Sequence, residues 1–260
     1  METQQNKIQI LDAACKLGRN ILENGGEVYR VEEAINYFLD AYDIHGAQIF
    51  TLQSCIIVTL AETDDGKPVT QLERIKSTGY NLDKLSKFND LCRRACREKY
   101  SAEHIKSEIE KIRSEKPYSY LVTLMAYGIS SALFCLFWQG DFRDACVSFL
   151  CGIATKCVLT YISKMKINMF FTNMAASAVI AYIAILFVHL GFAHHYDKII
   201  IGAIMMLVPG IALTNIMRDI IAGDIITGTS KLSEILLVGI AIAVGIAIAM
   251  ASIIALGGVV

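Results

Sequence analysis

Between Pro117 and Gly140 no side chain carries a charge. The stretch YSYLVTLMAYGISSALFCLFWQ is apolar and long enough, as a helix, to cross ~30 Å of hydrocarbon. Trp138 and the pair Tyr118/Tyr120 bracket it as interfacial anchors. The run also divides the sequence. Met1 to Lys116 holds 17 of the 24 Lys+Arg and 19 of the 25 Asp+Glu, which leaves only 7 basic and 6 acidic residues for Pro117 to Val260. The mean hydropathy of +0.47 therefore averages two parts suited to different solvents. A soluble domain is expected over 1–116 and a transmembrane domain over 117–260.

Hydropathy places five spans at about 118–140, 145–163, 169–190, 199–222 and 235–256. The second contains Lys156, which makes it the least regular. With the amino-terminal domain in the cytoplasm, the inner flanks hold Lys106, Lys111, Arg113, Lys116, Lys164, Lys166, Arg218 and Lys231, against only Arg143 and Lys198 outside. That asymmetry favours a cytoplasmic amino terminus, and an odd number of spans puts the carboxyl terminus outside. The opening METQQNKIQILDAACK lacks a basic stretch followed by an apolar core, so no cleavable signal is expected. With a net charge of −1 and no basic run interleaved with aromatics, nucleic acid has no support as a partner. The eight cysteines fit no zinc spacing and read as reduced structural thiols.

Within 1–116 the periodicity gives the order ααβββαα. Ile8, Leu11, Cys15, Gly18 and Ile21 recur at helical spacing up to Gly25-Gly26, and a second helix from Glu27 to Tyr42 buries Val28, Val31, Ile35, Phe38 and Leu39. Ala47–Gln53, Cys55–Leu60 and Val69–Ile75 read as strands, the last two joined at the turn signal Asp64-Asp65-Gly66-Lys67-Pro68. Helices over Asp83–Lys99 and after Ser101, a fitting N-cap, close the domain. The fold class is thus an integral membrane α-helical bundle of about five transmembrane helices preceded by a small α+β cytosolic domain.

The stretch LVPGIALTNIMRDIIAGDIITG, Leu207–Gly228, carries the most chemistry. Pro209 removes a backbone donor and Gly210 relaxes the chain, so a helix break is expected there, turned toward the bundle or a cavity because freed backbone groups cannot face lipid. A half-helix starting near Ile211 would aim its positive end at a carboxylate, with Thr214 and Asn215 one turn on as hydrogen-bonding groups. Arg218, Asp219 and Asp224 follow; charges near a membrane are costly and pair up, Arg218 with Asp219 or with another helix. A Pro-kinked structural helix whose charges mark the water boundary fits the same residues. Lys156 either neutralises an anionic solute or snorkels to the inner interface. His189, His194 and His195 read as exposed loop histidines rather than proton or metal ligands. Glu27, Arg30 and Glu33 share a helix face and read as a solvated row of charges. Small residues at Gly239, Ala243, Ala247 and Ala251, with Ala241, Gly245 and Ala249 beside them, predict a final helix packed against protein. No nucleophile motif, P-loop or metal-binding helix motif appears, so neither an enzyme nor a bound cofactor or metal is expected.

At GGEVYRVEEAI (Gly25–Ile35) and PGIALTNIMRDIIAGDIITG (Pro209–Gly228) the sequence resembles the bacterial threonine/serine exporter family, in particular the larger chain of its split, two-component form. The resemblance covers nearly the whole chain. It implies export of small amino acids such as threonine and serine across the bacterial plasma (inner) membrane, driven by the proton gradient; some split members are similar to exporters of a dicarboxylate such as succinate. The positions it singles out are Gly26, Glu27, Tyr29, Arg30 and Glu32, then Pro209, Gly210, Asn215, Arg218, Asp219, Gly223, Asp224 and Gly228. Single-chain members carry a second membrane half after the fifth span, so a small hydrophobic membrane partner subunit, or a homo-oligomer, is expected to supply it here. The remaining alternatives are a membrane-anchored sensor, with the soluble domain binding a ligand, and a membrane enzyme; five spans with a broken helix exceed what an anchor needs.

Overall fold

The computed structural model describes residues 2–61, 67–165 and 167–257. Asp64-Asp65-Gly66, in the expected turn, and Lys166 lie outside them. The chain divides into two compact units. One comprises Met1–Lys116 together with Thr214–Lys231, the other Pro117–Leu213 together with Leu232–Val260.

The first unit contains α1 (Glu2–Glu23), α2 (Val28–Ala41), β1 (Ala47–Leu52), β2 (Cys55–Leu60), β3 (Val69–Arg74), α3 (Leu82–Glu98) and α4 (Ala102–Ser114). The strands form one antiparallel sheet in the order β1-β2-β3, with Ala47 opposite Leu60 and Leu60 opposite Val69. On the central strand Ile56, Val58 and Leu60 are buried and their neighbours are not, the period-two pattern of a sheet covered on one face. The helices lay Leu11, Ile21, Phe38, Phe88 and Ile105 into the same core. Each such side chain contributes roughly 1.5–3 kcal/mol by leaving water. Asn81 and Ser101 cap α3 and α4 by accepting from the amides of Lys84 and His104.

The turn between α1 and α2 positions the site. Gly26 N–H donates to Ile21 O at 3.0 Å and Gly25 N–H to Leu22 O at 3.2 Å, the paired bonds of a Schellman ending. Gly25 sits at φ +98°, which L side chains rarely adopt, and a Cβ on Gly26 would lie 2.6 Å from Ile21 Cγ2. Two glycines are therefore what lets the chain reverse so tightly that Glu27 becomes the N-cap of α2.

The remaining helices are α5 (Tyr120–Phe137), α6 (Phe142–Ser163), α7 (Met169–His189), α8 (Tyr196–Ile204), α9 (Gly210–Ile221) and α10 (Ile225–Ala255). Four of them, α5, α6, α7 and α10, are long and apolar enough to cross a membrane. The expected fourth span at 199–222 is two helices of 9 and 12 residues, interrupted at the break expected at Pro209-Gly210. Pro209 cannot donate into a helix, and the chain ahead of it tightens, Met206 N–H bonding Ala203 O and Leu207 N–H bonding Ile204 O. The last helix begins at Ile225 rather than near 235; Thr229 Oγ1 folds back on Ile225 O at 2.8 Å and so satisfies its hydroxyl within the first turn.

In the second unit small residues bring helices together. A Cβ on Gly152 would overlap Tyr127 O and Ser131 Oγ, and one on Gly245 would overlap Met174 O and Ser177 Oγ. The small residues of α10 split into two stripes. Ala241, Gly245 and Ala249 are buried, whereas Gly239, Ala243, Ala247 and Ala251 are exposed. Two residues along an α-helix turn the side chain by roughly 200°, so the two sets face opposite ways and only one can meet a given neighbour. The expectation of one stripe packed against protein holds for the second set alone. Lys156 Nζ lies 5.2 Å from the Tyr127 ring centroid, a cation–π distance that gives its charge a partner inside this unit.

Candidate functional site

The two motifs that stand out in the sequence meet in the first unit. Residues 214–231, which take in the end of α9, the turn after it and the start of α10, pack with 1–116. Asn215, itself buried, donates its amide to Gly25 O at 3.1 Å. One turn later the Arg218 guanidinium donates to Glu27 Oε1. The Glu27 side chain is 8% exposed, and Arg30 Nε lies 3.6 Å from its other oxygen. Glu27, Arg30 and Glu33 were expected as a solvated row; the first is buried because the segment around Arg218 covers it, while Arg30 and Glu33 stay exposed. Of the two partners expected for Arg218, the structure shows one outside its own helix, not Asp219.

Asp219 pairs with Lys231 instead. Both are buried, with Lys231 Nζ 3.3 Å from Asp219 Oδ2, and Asp219 Oδ1 has no hydrogen-bond partner. The turn between them is made by Gly223, at φ +101°, and by Asp224, whose amide bonds Asp219 O at 2.9 Å. Burial, with the Asp219 charge adding to it, raises the Asp224 pKa above its ordinary value. Glu32 accepts the Thr51 amide at 2.7 Å. Its pKa is also raised, first by burial and then by Asp224, with the Thr51 amide opposing. Gly228 is held close: a Cβ there would run into Ile220 Cγ1.

The junction thus gathers Glu27, Arg30, Glu32, Asn215, Arg218, Asp219 and Asp224. Gly26 shapes its floor, and Tyr29 sits half-buried in the first turn of α2. Pro209 and Gly210 lie at the helix break and Thr214 is exposed on α9, while Lys156 belongs to the other unit. Lys231 entered the sequence reading only as a flanking charge. The signal that would have found it is a lysine twelve residues after Asp219, with Asp224 the one other charge between them. Nearby, a cleft of about 360 Å³ opens between the β1–β2 turn, the segment after β3 and the start of α10. Leu52, Ile75 and Ile226 line it together with Gln53, Ser77, Thr78, Thr227 and Ser230, a mostly apolar wall with a few hydroxyl and amide groups, at the small end of the size range of ligand sites.

In the second unit His194 and His195 are exposed, as expected, but both are tied to the start of α6. Asp144 is fully buried and accepts the His194 and His195 amides on Oδ1 at 2.8 and 3.1 Å, and His195 Nδ1 lies 2.8 Å from its Oδ2. His194 Nδ1 lies 2.5 Å from Asp141 Oδ2. Asp141 and Asp144 also form the capping box of α6. The Asp144 amide, and after it His194, hold the Asp141 carboxyl down at about 2. Asp141, Asp144 and His194 offer ligand atoms within 4.8 Å of one another. These oxygens already accept N–H donors, which makes the cluster a clasp between two turns. All eight cysteines are free thiols.

Four long apolar helices and a pair of shorter ones at a proline break define a multi-pass membrane protein that also carries a small α+β unit. The chain belongs to the threonine/serine exporter family: the family model ThrE, described as "Putative threonine/serine exporter", matches residues 12–253. No curated protein and no solved structure matches.

Proposed function

We propose that this chain is the larger subunit of a secondary exporter of small carboxylate-bearing solutes, with threonine and serine as its foremost substrates. It would work in a bacterial inner membrane with its α+β unit in the cytoplasm. The observation that carries the reading is the junction itself. Asn215 on Gly25 O and Arg218 on Glu27 join the first motif to the segment that follows the broken helix, across 190 residues of sequence. A sensor tethered by its helices would have no need to bind that segment.

The chemistry favours a zwitterion. Glu27, Glu32, Asp219 and Asp224 present more negative charge than Arg30, Arg218 and Lys231 balance, so an ammonium group is drawn in while a dicarboxylate is repelled. The exposed guanidinium of Arg30 would take the carboxylate. The exposed stripe Gly239, Ala243, Ala247 and Ala251 on α10 gives a small hydrophobic membrane partner, or a second copy, a face on which to complete the pathway.

The test is flux in proteoliposomes. With the partner subunit present, labelled threonine and serine should exchange across the bilayer and succinate should not compete. Flux of succinate alone would move the substrate to the dicarboxylates. No flux of any small carboxylate, with tight ligand binding by the full chain, would replace the exporter by a sensor.

A further inference from the structure

Where α1 ends, a second cleft of about 530 Å³ opens between that helix, the segment after β3, the start of α3 and the end of α4. Four cations line it, Arg19, Lys76, Lys84 and Arg113, against one carboxylate, Glu23. That carboxylate is already paired, with Arg19 Nε 2.7 Å from its Oε1, and Arg19 also reaches Glu73 at 3.3 Å. Lys84 Nζ donates to Arg113 O at 2.7 Å, which fixes the ammonium in place without neutralising it. Arg113 reaches Glu110 only at 3.7 Å, with both side chains in water. Neither Lys76 nor Lys84 has a carboxylate partner among the described residues. Cations elsewhere on α1 and α3 behave otherwise: Lys16, Lys87 and Arg94 each pair with an aspartate four residues earlier, at 2.8–2.9 Å. The cleft therefore keeps an uncompensated positive field, which a concave wall concentrates.

The remaining lining groups are Asn20, Asn24, Ser77, Thr78 and Gly79, with no large apolar side chain among them. Asn20 and Asn24 each donate one amide hydrogen to a carbonyl of α1 and keep a second. Ammonium, guanidinium, amide and hydroxyl donors thus converge from four elements. Such a set surrounds a tetrahedral oxyanion from several sides, whereas a flat carboxylate is met best by one guanidinium fork. The volume falls within the range of small-molecule sites and exceeds the needs of a single ion.

The cleft also shares a wall with the junction. Glu23 and Asn24 line it, and the next residue, Gly25, gives its carbonyl to Asn215. Gly79 N–H donates to Glu23 O at 2.9 Å and Asn81 N–H to Asn24 O at 3.2 Å, which ties the segment after β3 to the α1–α2 turn. We propose that this cleft is a regulatory site for a soluble anion carrying two or more linked phosphate groups, and that its occupation tightens the α1–α2 turn against residues 214–231. A ligand bridging Asn20 and Asn24 to Lys76 and Thr78 draws the segment after β3 onto α1 and holds the Gly25 carbonyl toward Asn215. The binding site stands apart from the exporter reading; only its consequence, a flux set by the ligand, rests on that reading.

The experiment is calorimetry on the full chain in phosphatidylcholine nanodiscs, with pyrophosphate and ATP as probes. Both should bind saturably and more weakly as salt is added. Lys76→Glu and Arg113→Glu, both at exposed positions, should each weaken binding by about tenfold, the loss of one charge-assisted contact. Arg97→Glu, thirteen residues along α3 from Lys84, should bind as wild type does. Pyrophosphate should also slow hydrogen exchange at residues 215–221 in the wild type and not in Lys76→Glu. No binding of either probe at millimolar concentration, equal affinity in both cleft variants, or citrate bound as tightly as pyrophosphate overturns the proposal. So does the same protection produced by phosphatidylglycerol in the nanodisc without a soluble ligand, which would assign the cleft to a lipid headgroup. Binding that leaves exchange at 215–221 unchanged overturns the regulatory coupling. The expected binding and protection in a protein that moves no amino acid would sink the exporter reading and leave the anion site standing.

Discussion

The Glu27–Arg218 contact sets how firmly the segment 214–231 is held, and Arg218→Gln measures it. Breaking a fully buried ion pair by removing one partner costs about 3–5 kcal/mol. Here Glu27 is 8% exposed but the Arg218 side chain is 48% exposed, so water already screens the guanidinium. Arg30, at 3.6 Å, also remains to compensate Glu27. The expected cost is therefore about 1–2 kcal/mol, which corresponds to roughly tenfold faster opening of the segment. Hydrogen exchange of full-length protein in nanodiscs reads this at the helical amides of α9 from Asn215 to Ile221. Glu27→Gln should give a similar loss, and the double variant should lose less than the two single losses added, by about 1 kcal/mol. Unchanged protection in Arg218→Gln, or strict additivity in the double variant, would refute the coupling.

Other consequences are local. Gly245→Ala should destabilise the membrane unit by about 1–3 kcal/mol because its Cβ meets Met174 O and Ser177 Oγ, whereas Gly239→Ala, with nothing within 4 Å, should leave denaturant unfolding unchanged. Asp12 is opposed by burial, yet its hydrogen bonds to Lys106, Lys16 and Gln71 win and lower its pKa from 3.8 to about 2. Its contribution, about 1 kcal/mol after solvent screening, is fully present above the unfolded pKa and is lost as the pH falls from about 4 to 2. Asp12→Asn should then be less stable than wild type at pH 7 and equal to it near pH 2. In Gly26→Ala the new methyl meets Ile21 Cγ2 and Ile21 O, so the α1–α2 turn should shift and weaken the Asn215 bond to Gly25, visible as faster exchange from 214 to 223.

Charge segregation at Lys116, the long apolar helices and the sheet could all be read from the sequence, because hydrophobic periodicity acts locally. The break before Pro209 was equally plain, since a missing amide is a property of one residue. What the sequence could not supply was the return of residues 214–231 to a unit whose other members end at Lys116. Nothing local distinguishes an aspartate that marks a water boundary from one buried against a lysine twelve residues on. Glu27 shows the same limit: its spacing to Arg30 and Glu33 is that of a surface row, and only a distant arginine makes it a buried one. The α10 stripes were visible as composition, but which of two opposite faces is covered depends on where α7 lies. The histidine clasp was missed because its acceptors sit fifty residues earlier, at a helix cap.

The most direct test of a functional junction between the two motifs is charge exchange across it. Glu27→Arg and Arg218→Glu should each abolish threonine flux in proteoliposomes containing the partner, and the double variant should recover a substantial part of it with membrane insertion unchanged throughout. Wild-type flux in either single variant, or a double variant as inactive as the singles while still inserted, would contradict the account.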